Sequence, residues 1–153
     1  MKNRRHCDSN RLSLVGCAML VAWCFAGTVA AADGIEPGEW RLTETITVNG
    51  QAMPGQERSR FLSPEEASNT AKTFTPQYRT VNSDCEQIEF KSTATQLNWR
   101  MQCKGQMDMD VSGEFIFDTP KHYTGKIVSK GSVGGRQVVD SRVSIEAEHI
   151  DEP

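Results

Sequence analysis

Trp40-Arg41-Leu42-Thr43-Glu44-Thr45-Ile46-Thr47-Val48-Asn49-Gly50 is the stretch whose reading decides the fold. Trp40, Leu42, Ile46 and Val48 fall on one face of an extended chain, and Arg41, Thr43, Thr45 and Thr47 on the other. A period of two in a segment rich in β-formers reads as a half-buried strand. Asn49-Gly50 follows directly, and both residues tolerate positive φ, so the pair marks a tight hairpin. The same alternation continues downstream. Residues 56–62, 85–91, 96–103, 107–117, 123–130 and 137–149 read as further strands joined by short links. One short helix is expected at Ser63-Pro64-Glu65-Glu66-Ala67, where Ser63 caps, Pro64 suits the first turn and the two glutamates complement the helix dipole; Thr75-Pro76 ends it. The predicted architecture is all-β: an antiparallel meander of about seven or eight strands forming a small barrel or curled sandwich, with one short helix.

Three local features refine that picture. Ala94 is equidistant from Cys85 and Cys103, so a simple antiparallel hairpin sets the two cysteines opposite each other. Leu97, Trp99, Met101 and Cys103 share a face on its second strand, the expected core face. Ile88 and Phe90 fall on the face opposite Cys85, a mismatch that a bulge near Glu86-Gln87 would remove. Gly113 is expected at a bulge or bend, and Gly131-Ser132-Val133-Gly134-Gly135 as a flexible turn.

The N-terminal segment has a different grammar. Lys2, Arg4, Arg5 and Arg11 precede an apolar stretch over 12–29, which closes on Ala30-Ala31-Ala32. That order is the one expected of a cleaved secretory signal peptide over 1–32, leaving a single all-β domain over 33–153. Leu14-Val15-Gly16-Cys17 has the outline of a lipoprotein processing site, but only four apolar residues precede the cysteine and the apolar stretch runs on through Trp23. An uncleaved anchor fits less well than cleavage, because 18 residues lie near the lower limit of the ~17–25 a spanning helix needs. No basic stop-transfer cluster follows them. Cys7, Cys17 and Cys24 depart with the leader, and Cys85 and Cys103 remain as an even pair in an oxidising compartment, where a disulfide is the default.

Residues 33–153 carry 13 Lys and Arg against 19 Asp and Glu, a net charge of −6 with histidines neutral. Nucleic acid and anionic lipid surfaces are excluded as partners by that balance, since each demands a basic stripe. No further apolar run approaches membrane length.

Pro37-Gly38-Glu39-Trp40, Leu62-Ser63-Pro64-Glu65-Glu66-Ala67, and Cys85 spaced to Asn98-Trp99-Arg100-Met101-Gln102-Cys103-Lys104-Gly105 together resemble the domain of unknown function 3617 family of exported, Gram-negative envelope proteins. The resemblance spans nearly all of 33–153 and implies a periplasmic location, but no activity. It also implies a second disulfide elsewhere in that family, between a cysteine before the Leu-Ser-Pro-Glu motif and one at the C-terminus. This chain has Phe61 at the first position and ends His149-Ile150-Asp151-Glu152-Pro153 without cysteine.

Catalytic signatures are missing: there is no Gly-x-Ser-x-Gly elbow, no His-Glu-x-x-His and no phosphate loop, and only His122 and His149 lie beyond the leader. The expectation is therefore no catalytic residue, no cofactor and no enzyme. Met107 and Met109, with Met101, Met53 and His122 as further ligands, could hold copper(I), which prefers soft thioethers; inward-facing methionines filling core gaps are the favoured reading. Asp108 and Asp110 read as solvated charge rather than calcium ligands. Trp40, Trp99, Phe115, Phe117 and Tyr123 either line an internal cavity or fill it, and with so few large side chains a filled interior is expected. Two functions fit: a non-catalytic binding or structural envelope protein with an envelope-protein partner, and a lipocalin-like carrier of a small hydrophobic ligand. The sequence assigns no ligand-binding residue to either. N-terminal sequencing of the exported protein is expected to begin at Asp33; a start at Met1, or at a lipid-modified Cys17, would overturn the leader assignment.

Overall fold

The computed structural model describes residues 34–76 and 83–151; the leader over 1–32 lies outside the described residues. Eight strands form one antiparallel sheet: β1 (Gly38–Val48), β2 (Gln51–Ala52), β3 (Gln56–Leu62), β4 (Ser83–Ser92), β5 (Gln96–Gly105), β6 (Asp108–Thr119), β7 (His122–Val133) and β8 (Arg136–His149). β4 to β8 run as an uninterrupted meander, and β8 then pairs with β1, whose other side takes β2 and β3. The sheet is curled but not closed: among the described residues β2 and β3 form one edge and β4 the other.

Local chemistry explains the turns. Asn49 and Gly50 adopt φ of 50° and 82°, the paired positive values of a tight hairpin between β1 and β2. Gly134 and Gly135 do the same between β7 and β8, so the glycine-rich segment expected as a flexible turn is a two-residue turn, with Gly131, Ser132 and Val133 still in β7. Two helices replace the single one expected. α1 (Pro64–Ser68) begins with a full capping box, in which Ser63 Oγ accepts from the Glu66 N–H and the Ser63 N–H donates to Glu66. α2 (Thr70–Phe74) restarts at Asn69, whose side chain caps it through the Lys72 N–H. Asn69 competes for backbone hydrogen bonds as Asn commonly does, and this splits the helix.

The hairpin of β4 and β5 carries the disulfide between Cys85 and Cys103, 18 residues apart and directly paired. A bulge does occur, with Ile88 as the extra residue between Gln87 and Glu89. Beyond it Phe90 pairs with Trp99, which turns Phe90 toward the core face, although its place on an edge strand leaves it half exposed. Gly113, in contrast, is neither bulged nor bent: it continues the register between Trp99 and Ile127. Its role is space. A Cβ there would lie 2.3 Å from the Trp99 ring, so the indole can lie flat on the strand only over glycine.

Both tryptophans expected in the core are buried, Trp40 at 0% and Trp99 at 2% exposure. Around Trp40 the interior is a buried apolar core: its ring centroid lies 5.1 Å from that of Tyr123, and Leu62, Ala147 and Ile35 belong to the same cluster. It is not filled throughout, as described below. Opening the disulfide should matter: the chain-entropy model assigns about 3 kcal/mol to an 18-residue loop. The Cys85→Ser, Cys103→Ser double variant is expected to keep its far-ultraviolet circular dichroism and to melt roughly 10 °C lower; an unchanged melting temperature would show that the bond constrains little.

Candidate functional site

Among the described residues, a concavity opens on the inner face of the curled sheet beside α2. Phe74, at the end of α2, inserts into an aromatic cluster, with ring centroids 5.0 Å from Phe115, 5.5 Å from Phe117 and 5.0 Å from Tyr123. The Trp99 indole N–H donates to the Phe74 carbonyl at 3.0 Å. Beside this plug a cleft of about 470 Å³ remains, with apolar walls from Leu42, Phe74, Trp99, Phe115, Ile127 and Ile145. Its size falls within the range typical of small-molecule sites, ~300–1,000 Å³. The filled interior expected from the sequence therefore applies only to the Trp40 end, since Phe74 is too small to occupy the rest of the concave face. Trp99, Phe115 and Tyr123 line the cleft; Trp40 and Phe117 pack in the core instead.

Polar groups also enter the cleft. Register places Arg58 opposite Leu42 and Arg60 opposite Trp40, so both arginines stand on the inward face of the edge strand β3. Glu44, two residues beyond Leu42, is likewise inward and only 4% exposed. Such a carboxylate must be paired to be tolerated, and the Arg58 guanidinium hydrogen-bonds it directly. Arg60 stacks 5.6 Å from the Phe74 ring centroid and reaches Glu66 only at 3.7 Å. Glu66 already accepts from the Ser63 backbone and hydroxyl, which hold its carboxyl below the usual range. Tyr123 is 1% exposed and lines the same cleft. Burial pushes its phenol up to about 12, and the charges of Arg60 and Glu44 both act on it. Among the described residues, nothing hydrogen-bonds that hydroxyl.

None of Glu44, Arg58 and Arg60 is evident as a site residue from strand alternation read through apolar positions alone. The signal was present, however: Glu44 interrupts the apolar face between Leu42 and Ile46, and Arg58 and Arg60 occupy alternate positions leading to Leu62.

The candidates read from the sequence lie elsewhere. Met107 and Met109 do converge, since a Cβ at Gly131 would meet their sulfurs at 2.7 and 2.9 Å. Met109 packs against the core as expected, but Met107 precedes β6 and stays exposed at 39%, so it is not the inward gap-filler expected from alternation. His122 is held between Asp118 at 2.6 Å and Glu146 at 3.7 Å, which raises its imidazole above the usual range, and Met53 is exposed after β2. Asp110 is not merely solvated but forked by Arg100 at 2.9 and 2.6 Å, and Asp108 pairs with Lys104 at 3.1 Å. Glu36, His149 and Asp151 cluster closely enough to hold a cation. That place is taken by the Lys121 ammonium, 2.5 Å from Asp151 and 3.8 Å from Glu36.

An open, strongly curled antiparallel sheet with a helical plug and a half-polar cleft defines the class of protein. The chain belongs to the family described as protein of unknown function (DUF3617), whose model matches residues 35–152. No curated protein and no solved structure matches it.

Removing the Arg58 cation should expose the cost of the buried carboxylate. Arg58→Leu is expected to lower unfolding stability by about 1–3 kcal/mol, the penalty of an orphaned buried acceptor. Adding Glu44→Gln should restore part of it, as read from urea denaturation. Equal stability of Arg58→Leu and the parent would contradict the pairing.

Proposed function

We propose that this protein is an exported, periplasmic, non-catalytic binding protein whose concave cleft takes a small, mainly apolar molecule. The observation that carries this reading is the 470 Å³ cleft beside Phe74, with aromatic and aliphatic walls and a few convergent polar groups. Of the two functions drawn from the sequence, the cleft favours the carrier over the structural partner. The Cys85–Cys103 disulfide supports an oxidising compartment, and among the described residues no helix is long and apolar enough to cross a membrane.

The mode of binding follows from the fold. Apolar surface of the ligand would replace water against Leu42, Phe115, Ile127 and Ile145, a gain of ~25 cal/mol per Å² removed from water. The walls belong to strands locked on both sides by neighbours, so the site is largely pre-formed and little ordering is required of the protein. Titration with N-phenyl-1-naphthylamine, an uncharged apolar dye, is expected to show saturable one-to-one fluorescence enhancement. Ile127→Trp, which fills the cleft, should weaken it at least tenfold while leaving circular dichroism unchanged. Absence of saturable binding to the parent protein would refute the proposal.

A further inference from the structure

We infer that the cleft selects a single-chain amphiphile with an anionic oxygen head, held by the Arg60 guanidinium and the Tyr123 hydroxyl, with Glu44 and Arg58 closed off as a neutral pair. The inference rests on the binding reading above and adds to it the chemistry of the ligand's polar end.

Three observations carry it. First, Tyr123 is almost wholly buried, lines the cleft and has no hydrogen-bond partner among the described residues. The ring is buried while the hydroxyl oxygen stays open to the cleft, where a ligand oxygen can take the place of water. Its phenol stays protonated at neutral pH, so its O–H can donate to an acceptor oxygen. Second, Arg60 is the cation in the cleft with capacity to spare. Arg58 is committed to Glu44, whereas Arg60 has only a distant contact with a carboxylate that Ser63 already engages twice. A guanidinium offers five N–H donors in a planar fork, matched to carboxylate or phosphate oxygens. Its stacking on Phe74 fixes the plane of that fork beside the apolar walls. Third, the lining is mixed: Arg60 and Tyr123 share the cleft with the apolar side chains of Leu42, Trp99, Phe115, Ile127 and Ile145. A ligand with one charged end and one alkyl chain meets both kinds of group; a uniformly apolar molecule leaves Arg60 and Tyr123 desolvated and unpaired.

The anion also has to coexist with the Glu44 carboxylate. Direct pairing with Arg58 cancels that charge locally, so Arg60 sets the sign of the field at the head position. A cationic head would meet Arg60 without a free counter-charge, and a hydroxyl head would meet only half of the donors.

The test is competition against bound N-phenyl-1-naphthylamine by four molecules that share a dodecyl chain: dodecanoate, dodecyl phosphate, dodecanol and dodecylamine. The two anions are expected to displace the dye at concentrations at least tenfold lower than the alcohol or the amine. Arg60→Met should abolish that preference by weakening the two anions far more than dodecanol. Tyr123→Phe should weaken the anions about threefold to tenfold. Arg60→Gln serves as a second variant if the Met variant misfolds. Equal displacement by all four molecules, or an anion preference that survives both Arg60 variants, would overturn the head-group assignment while the cleft still binds the dye. A parent protein that does not bind the dye removes the cleft reading itself, and this inference with it. Preference for dodecanoate alone, or for dodecyl phosphate alone, supports the inference and identifies the head.

Discussion

The hydrogen bond from the Trp99 indole to the Phe74 carbonyl fastens the short helix α2 to the inner face of the sheet. Without it the curled sheet would have an inner face that is too concave to pack on itself and too apolar to leave wet. Phe74 fills part of that hollow and meets Phe115, Phe117 and Tyr123 at edge and tilted angles favourable to aromatic pairs. The indole in turn depends on Gly113, since any side chain there would occupy the ring's own volume. A chain of three residues on three elements thus determines how deep the cleft is and what stands beside it.

The strands were legible because alternation is a strong signal where one face is buried. Trp40 to Val48 and the Asn49-Gly50 turn behave as local chemistry requires, and the symmetric placement of Cys85 and Cys103 about Ala94 matches the observed pairing. What escaped sequence reasoning has identifiable causes. Gly113 looks like a bulge residue in one dimension, and only the neighbouring strand supplies the ring that excludes a Cβ. Asn69 splits a helix by capping its second half, a choice that depends on where Phe74 must point. The cleft residues were hidden for a related reason. An arginine or glutamate at an inward position counts against a strand when only apolar spacing is scored, yet here Glu44, Arg58 and Arg60 keep strict register with Leu42, Trp40 and Leu62.

Inward arginines on β3 have a second consequence for the sheet. An edge strand offers unpaired backbone groups to any other extended chain, and inward-pointing charge is one of the devices that discourage such pairing. Arg58 and Arg60 therefore serve both the interior and the edge. The opposite edge, β4, is managed differently. Its Ile88 bulge interrupts the ladder, and the disulfide holds it to β5.

The pairing of the first strand with the last has a bearing on how the molecule is made. His149 meets the Pro37 carbonyl 112 residues away, and β1 lies against β8 along nine consecutive pairs. A chain synthesised amino end first must hold β1 in reserve until β8 arrives. Meanwhile the β4 to β8 hairpins can zip locally, each from a short turn. Closure of β8 on β1 is then the slow, long-range step, and until it happens both strands present bare edges. The order of synthesis makes the seam between the two ends of this domain the place where folding factors have most to protect.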